Sequence, residues 1–231
     1  MGSKHHLSQS AEVYYGAARY NRAYARNGRP GVQITPELRF HNFGVIAAAS
    51  ANGVATTQSV GAAALFNLNG ALLVNGVVTF PTPRNVVAAW TTASILTITG
   101  TDEYGSVMQE VSASGTSHTG TKAFKTITSV SSSASITGAT IGTGVAIGLP
   151  NRVDLNGMLI AKQTNATDAA TFVPAVTTSP ATGTTGDVRG TVTFAAAPNG
   201  TISYAVLIKT ADPATKTGAY GVAQFGSGDS V

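Results

Sequence analysis

Residues 192–206 read VTFAAAPNGTISYAV, in which two runs of strand-forming side chains flank a Pro-Asn-Gly turn signal. Asn-Gly pairs favour tight hairpin turns because both central residues of such a turn adopt positive φ. The stretch therefore predicts two antiparallel strands, Val192–Phe194 and Ile202–Val206, joined as a hairpin. Two further Asn-Gly pairs, at residues 69–70 and 75–76, predict turns of the same kind.

The same pattern extends on both sides of this stretch. From Phe43 onward, short runs of Val, Ile, Thr, Leu and Ala alternate with Gly, Asn, Pro and Ser. Strands at this spacing, with no long helical period, are typical of a sandwich or barrel. We therefore predict a mainly β protein with a β-sandwich or barrel-like core. The clearest predicted strands are Ala71–Val74, Asn85–Trp90, Ser94–Thr99, Val107–Val111, Lys122–Val130, Arg189–Ala195 and Thr201–Lys209.

Changes in composition divide the chain into three parts. An N-terminal basic and aromatic arm covers residues 1–42, a β-rich core covers 43–176, and a terminal β-hairpin unit with a Gly-rich tail covers 177–231. Two segments of low complexity, Ser131–Gly144 and Thr177–Gly186, predict loops or domain joints. The second of them marks the boundary between the core and the terminal unit.

The composition argues against several classes of function. The 231 residues include no Cys and only 10% charged residues, which removes thiol catalysis, disulfides and Cys-based metal sites. The sequence contains no Walker loop, nucleophile elbow or dinucleotide fingerprint. We therefore expect neither an enzyme nor a bound cofactor or metal. The most apolar stretch, residues 60–80, is interrupted by Asn and Gly, so no membrane span is expected.

The arm carries the whole net charge of +4, because residues 1–40 hold six basic and two acidic side chains and the rest of the chain is balanced. An N-cap at Ser10 and a stop at Asn27-Gly28 predict a helix between them. Its tyrosine and arginine side chains form the candidate partner-binding surface, since such residues are enriched at contacts. These residues are Tyr14, Tyr15, Arg19, Tyr20, Arg22, Tyr24 and Arg26.

The arm admits two interpretations. It is either a contact surface for a partner, or a helix docked on its own β-domain with a solvated basic face. Nucleic acid is not the expected partner, because the charge is modest and the strands show no basic stripe with stacking aromatics.

Two clusters of titratable residues are candidate sites. Asp102-Glu103 is the densest acidic spot, and paired carboxylates can serve as acid and base or bind calcium. The following Tyr-Gly favours a β-turn between residues 95–100 and 107–111 instead. His5-His6 lacks the spacing of a zinc ligand set and is expected to be a solvated pair.

Residues 97–150 contain three linked motifs: TITGTDEYG at 97–105, KAFKTITSV at 122–130, and IGTG followed by GLP at 141–144 and 148–150. The combination resembles the β-rich structural proteins of tailed-bacteriophage virions, and the resemblance extends from about residue 80 to residue 190. The pattern often has Asp after its Gly-Thr-Gly, whereas this chain has Val145, so no acidic role carries over to that position.

The resemblance implies a cement or decoration protein on the outer surface of the capsid in the virion. Such a protein binds between subunits of the major capsid protein, stabilises the mature shell and forms a dimer or trimer with itself. A tail, neck or head-fibre component is the first alternative. A carbohydrate-binding module that stacks sugars on Trp90 or exposed tyrosines is the second, although Trp90 ends an apolar run and is expected in the core.

Overall fold

The computed structural model describes residues 37–211 and 215–224 of the chain. It confirms the predicted fold class, with 51% of the described residues in strands, 3% in helix and a β-sandwich-like core. The elements, in chain order, are β1 (Leu38–Val45), β2 (Ala55–Val60), β3 (Leu73–Val74), β4 (Val77–Ser94), β5 (Leu96–Thr101), β6 (Val107–Val111), β7 (Gly115–Thr119), β8 (Phe124–Ser132), β9 (Ile136–Gly148), β10 (Met158–Gln163), β11 (Ala166–Asp168), β12 (Thr171–Val173), β13 (Thr191–Thr193), β14 (Ser203–Lys209) and α1 (Lys216–Tyr220).

The strands form two antiparallel sheets. A four-stranded sheet has the order β1-β14-β10-β11, and a ten-stranded sheet has the order β12-β13-β9-β4-β8-β5-β6, with β2 on β9 and both β3 and β7 on β4. The 18-residue strand β4 pairs with four others and organises the larger sheet. Residues 38–42, which the sequence assigned to the arm, belong to β1.

The main hydrophobic core is built by the larger sheet. Strand β5 alternates buried and half-buried residues along its whole length, the period of two expected of a strand with one face in a core. Phe80 and Phe124 are fully buried in the resulting cluster, and burial of each aromatic side chain contributes about 1.5–3 kcal/mol. Trp90 also lies in this core and is 5% exposed, which confirms its expected place.

A second core fills the space between the two sheets. Tyr204, Val206 and Ile208 of β14 point into it, where they meet Ile147 of β9 and Val192 of β13. Because side chains alternate along a strand, the intervening residues of β14 point to the opposite side of the four-stranded sheet. This opposite side, which carries Ala205, Leu207 and Lys209 of β14, is the outer face of the four-stranded sheet.

The hairpin predicted at residues 192–206 is wrong. Strand β13 pairs with β9 and β12 in the larger sheet, whereas β14 pairs with β1 and β10 in the smaller one. The connecting residues form a local turn of another kind, in which Asn199 Oδ1 accepts hydrogen bonds from the backbone of Thr201 and Ile202 at 2.9 and 3.1 Å. The chain thus crosses from one sheet to the other at this point.

The other two Asn-Gly pairs have different outcomes. Asn75 and Gly76 both have positive φ, 51° and 82°, and join β3 to β4, which confirms the predicted turn. Asn69-Gly70 forms no hairpin. Gly70 instead lies against the backbone of Gly53, where an added Cβ would be 2.2 Å from a carbonyl oxygen.

The prediction of a loop at Ser131–Gly144 is also wrong, because most of this segment forms β9. Its small residues allow close packing: a Cβ on Gly142 would lie 1.8 Å from the carbonyl oxygen of Ser50. Thr177–Gly186 contains no strand, as predicted. The boundaries at 42/43 and 176/177 stay predictions, and strand pairs β1–β14 and β13–β9 connect the segments on either side of them.

Candidate functional site

A cleft with a volume of about 730 Å³ lies where the β5–β6 turn meets α1 and the residues before β13. Tyr104 and Tyr220 stand at its wall with 52% and 45% of their surface exposed. Asp102, Arg189 and Gln224 form its polar lining and are almost completely buried. The sequence predicted the β5–β6 turn but not the buried charged side chains that contact it.

Asp102 organises the turn, which confirms the β-turn predicted for residues 102–105. The backbone N–H of Gly105 donates to the Asp102 carbonyl at 3.2 Å, and Gly105 has a φ of 83°. The Oδ1 atom of Asp102 accepts hydrogen bonds from the N–H groups of Tyr104 and Ser106, both at 2.9 Å. One carboxylate oxygen is therefore fully used in holding the turn.

The other carboxylate oxygen of Asp102 binds Arg189. Arg189 Nη1 lies 2.8 Å from Asp102 Oδ2, and both side chains are 3% exposed. Arg189 also donates from Nε to the carbonyl oxygen of Leu149 at 3.1 Å, and its backbone N–H donates to Asp187. Gln224 Nε2 completes the arrangement at 3.4 Å from the same Asp102 oxygen. The pair thus ties together three separate segments of the chain.

The surroundings of Arg189 favour its charged form. Burial alone would lower the pKa of Arg189, but the carboxylates of Asp187 and Asp102 outweigh it and raise the pKa above its usual value. Burial also raises the pKa of the Tyr104 hydroxyl, which donates to the carbonyl oxygen of Pro150 at 2.6 Å. The guanidinium lies 5.3 Å from the centre of the Tyr104 ring, within the range of a cation–π contact.

A second group of buried charges neighbours the first through Asp187. Lys122 is completely buried and donates from Nζ to the carbonyl oxygen of Thr182 at 2.7 Å. Burial lowers the pKa of Lys122, while Glu110 and Asp187 act in the opposite direction. Glu110 Oε1 accepts the N–H of Thr121 at 2.6 Å, and Glu110 Oε2 lies 3.5 Å from His118 Nε2.

These groups are arranged for structure. Both oxygens of Asp102 have donors, Asp187 accepts from the backbone of Ala123 and Arg189, and Lys122 is bonded to the Thr177–Gly186 loop. Over residues 37–211 and 215–224, no group of three His, Asp or Glu side chains could hold a metal ion. The cleft therefore brings together side chains that lock segments to one another.

The outer face of the four-stranded sheet carries a row of exposed apolar side chains. Phe40 of β1 lies opposite Leu207 of β14, and Leu207 lies opposite Ile160 of β10. Phe40 is 65% exposed, Leu38 is 62% exposed and Ile160 is 41% exposed. Strand β1 is also the edge of this sheet, with β14 as its one partner among the described strands. An exposed apolar row beside an open edge is a typical site of protein association.

The predicted arm surface lies outside the described residues. This applies to all of its members: Tyr14, Tyr15, Arg19, Tyr20, Arg22, Tyr24 and Arg26. The outer face was not predicted, although residues 38–41 alternate apolar with polar side chains. That alternation could have marked a strand with Leu38 and Phe40 on one side.

No family model matches the chain, and no curated protein or solved structure is significantly similar to it. None of the helices in the described part of the chain has the length and apolar character that a membrane span requires.

Proposed function

We propose that this chain is a structural protein of a tailed-bacteriophage virion that binds to the head exterior, between major capsid subunits, as a cement or decoration protein. The motifs at residues 97–150 suggest this class of protein. The observation that carries the proposal is the outer face, where Phe40 and Leu38 of an edge strand are more exposed than buried. Large apolar side chains in this position are stabilised when a partner covers them.

The proposed mechanism is mass action. A copy that binds only the assembled lattice adds its binding free energy to the stability of that lattice. Edge strand β1 offers unpaired backbone groups beside the apolar row, so strand addition and apolar contact can act together. We expect copies of the chain to associate as a dimer or trimer where the lattice has rotational symmetry.

The buried ion pair supports such a role. Asp102 and Arg189 join the β5–β6 turn to the segment before β13, and Gln224 brings in the residues after α1. A body fixed in this way loses little further conformational freedom on binding, which lowers the cost of association. The pair thus stiffens the larger sheet and the segments next to it.

The alternatives differ in location and partner. A tail, neck or head-fibre component would share the fold but occur in far fewer copies per particle. A carbohydrate-binding module is less well supported because Trp90 lies in the core, which leaves Tyr104 as the more open tyrosine of the cleft.

Deletion of Met1–Gly31 tests the proposal together with the predicted arm. Full-length protein should bind purified heads that lack it, and the truncated protein should bind on the order of 100-fold more weakly, as expected when several Tyr and Arg contacts are lost. Co-sedimentation with heads measures both affinities. The truncated protein should remain folded, because β1 begins at Leu38.

Each result of this experiment has a separate meaning. If the full-length protein does not bind heads, the proposed function is wrong. If the truncated protein binds with unchanged affinity, the arm is not the anchor and the β body carries the binding. Circular dichroism of both proteins provides the folding control.

A further inference from the structure

We infer that the outer face of the four-stranded sheet docks on a different protein, at an apolar surface bordered by carboxylates. This inference rests on the proposed function, in which that protein is the subunit of the shell. The inference names the part of the β body that makes contact, and it specifies the chemistry of the partner surface.

The apolar part of the outer face is a continuous row across three strands. Phe40, Leu207 and Ile160 lie directly opposite one another in neighbouring strands. Residues directly opposite in an antiparallel pair have Cβ atoms about 4.5–5.5 Å apart, so the three side chains are adjacent. Leu38 lies two residues before Phe40 and therefore on the same side of β1.

The border of this row is basic. On one side of the apolar row, Lys209 lies opposite Leu38. On the other side of the apolar row, Lys162 lies opposite Ala205. Both lysines are exposed, and neither forms an ion pair with a described residue. The rows across the sheet that begin at Leu38, Phe40 and Asn42 contain no carboxylate. Their other members are Lys209; Leu207 and Ile160; and Ala205, Lys162 and Thr167.

This charge pattern selects among the possible occupants. A second copy of the same face would bring lysines against lysines, and like charges in contact oppose association. The chain's own arm before β1 is also unsuited, because residues 1–36 carry five basic side chains and one acidic side chain. A partner with carboxylates around an apolar patch matches both features. Association of copies through other surfaces is unaffected by this argument.

Reversal of the two lysine charges tests the inference. The double variant Lys162→Glu/Lys209→Glu should bind heads at least about tenfold more weakly than the unchanged full-length chain, since it places carboxylates against carboxylates. Lys125→Glu is the charge-reversal control, because Lys125 lies on β8 of the other sheet. Lys125 is half-buried and donates from Nζ to the carbonyl oxygen of Pro81 at 2.8 Å, so this variant needs the same folding check. Its affinity should stay within about twofold of the unchanged chain. Phe40→Ser should also weaken binding, which tests the apolar row separately.

Cross-linking of the unchanged protein identifies the occupant directly. A carbodiimide joins a lysine amine to a carboxylate that it contacts, and mass spectrometry of treated virions then locates the linked residues. Links from Lys162 or Lys209 to the shell subunit are expected. Links to carboxylates of this chain, from a second copy or from its own Glu12, would overturn the inference.

The outcomes separate the inference from the proposed function. If the unchanged protein does not bind heads at all, the proposed function is wrong and the inference falls with it. If it binds heads and the double variant binds equally well, the outer face is not the docking surface and the proposed function stands. Because the altered lysines are exposed, we expect the variant to have the circular dichroism spectrum of the unchanged chain.

Discussion

Asp102→Ala is expected to lower the free energy of unfolding by about 3–5 kcal/mol, the cost of removing one partner from a buried ion pair. The variant leaves the Arg189 guanidinium buried without its 2.8 Å contact, and it removes the acceptor of two backbone N–H groups in the β5–β6 turn. Urea unfolding followed by the fluorescence of Trp90, the one tryptophan of the chain, measures the difference.

The neighbouring residue supplies the control for this prediction. Glu103→Ala removes the same kind of charge from an exposed position of the same turn and should change stability by less than about 0.5 kcal/mol. Replacing Arg189 as well, by Met, should recover part of the loss, because the second change removes the unpaired buried charge. Equal stability of Asp102→Ala and the unchanged chain would contradict the structural role given to this pair.

Gly142→Val should destabilise the chain by about 3 kcal/mol or more, the upper range for overpacking a core. A Cβ at this position would lie 1.8 Å from the Ser50 carbonyl oxygen and 2.4 Å from the Ala51 carbonyl carbon. Both contacts are to backbone, which cannot rotate away as a side chain can. The residues around Ser50 would have to separate from β9, with loss of the hydrogen bond from Thr143 N–H to the Ser50 carbonyl oxygen. Thermal unfolding by circular dichroism measures the effect.

Gly115→Ala is the matched control for the glycine prediction. Gly115 also lies in a strand, β7, and the nearest atom to an added Cβ is 3.9 Å away, an ordinary contact distance. This variant should keep the melting temperature of the unchanged chain. If Gly142→Val and Gly115→Ala melted at the same temperature, the close approach of β9 to the residues around Ser50 would be refuted.

Local signals in the sequence were sufficient for part of the fold. The strand Val107–Val111 was predicted with its observed bounds, and the turns at Asp102–Gly105 and Asn75-Gly76 were predicted correctly. These features depend on residues close together in the chain, where turn chemistry and strand propensity agree. Burial of Trp90 was also foreseen, because it ends an apolar run.

The failures concern partners that are distant in sequence. The residues around Asn199 indicated a turn. However, the pairings of β13 with β9 and of β14 with β1 place the two strands in different sheets. The segment Ser131–Gly144 is low in complexity and was predicted to be a loop or domain joint, yet its glycines permit a close approach that only the folded chain reveals.

The buried charges could not be predicted for a related reason. Asp, Glu, Lys and Arg are almost always exposed unless they are paired, and the sequence does not show the pairs. Lys122 and Arg189 look like ordinary strand residues until their partners, Thr182 and Asp102, are placed beside them. The same holds for the outer face, which depends on the register of three strands.

A count of copies per particle tests most directly whether the chain covers the exterior of a phage head. Virions are purified, and gel densitometry compares the band of this chain with that of the major shell protein. We predict a copy number of the same order as that of the shell protein. A copy number at the level of a portal or tail component would contradict the cement function, and absence from the particle would contradict any role in the virion.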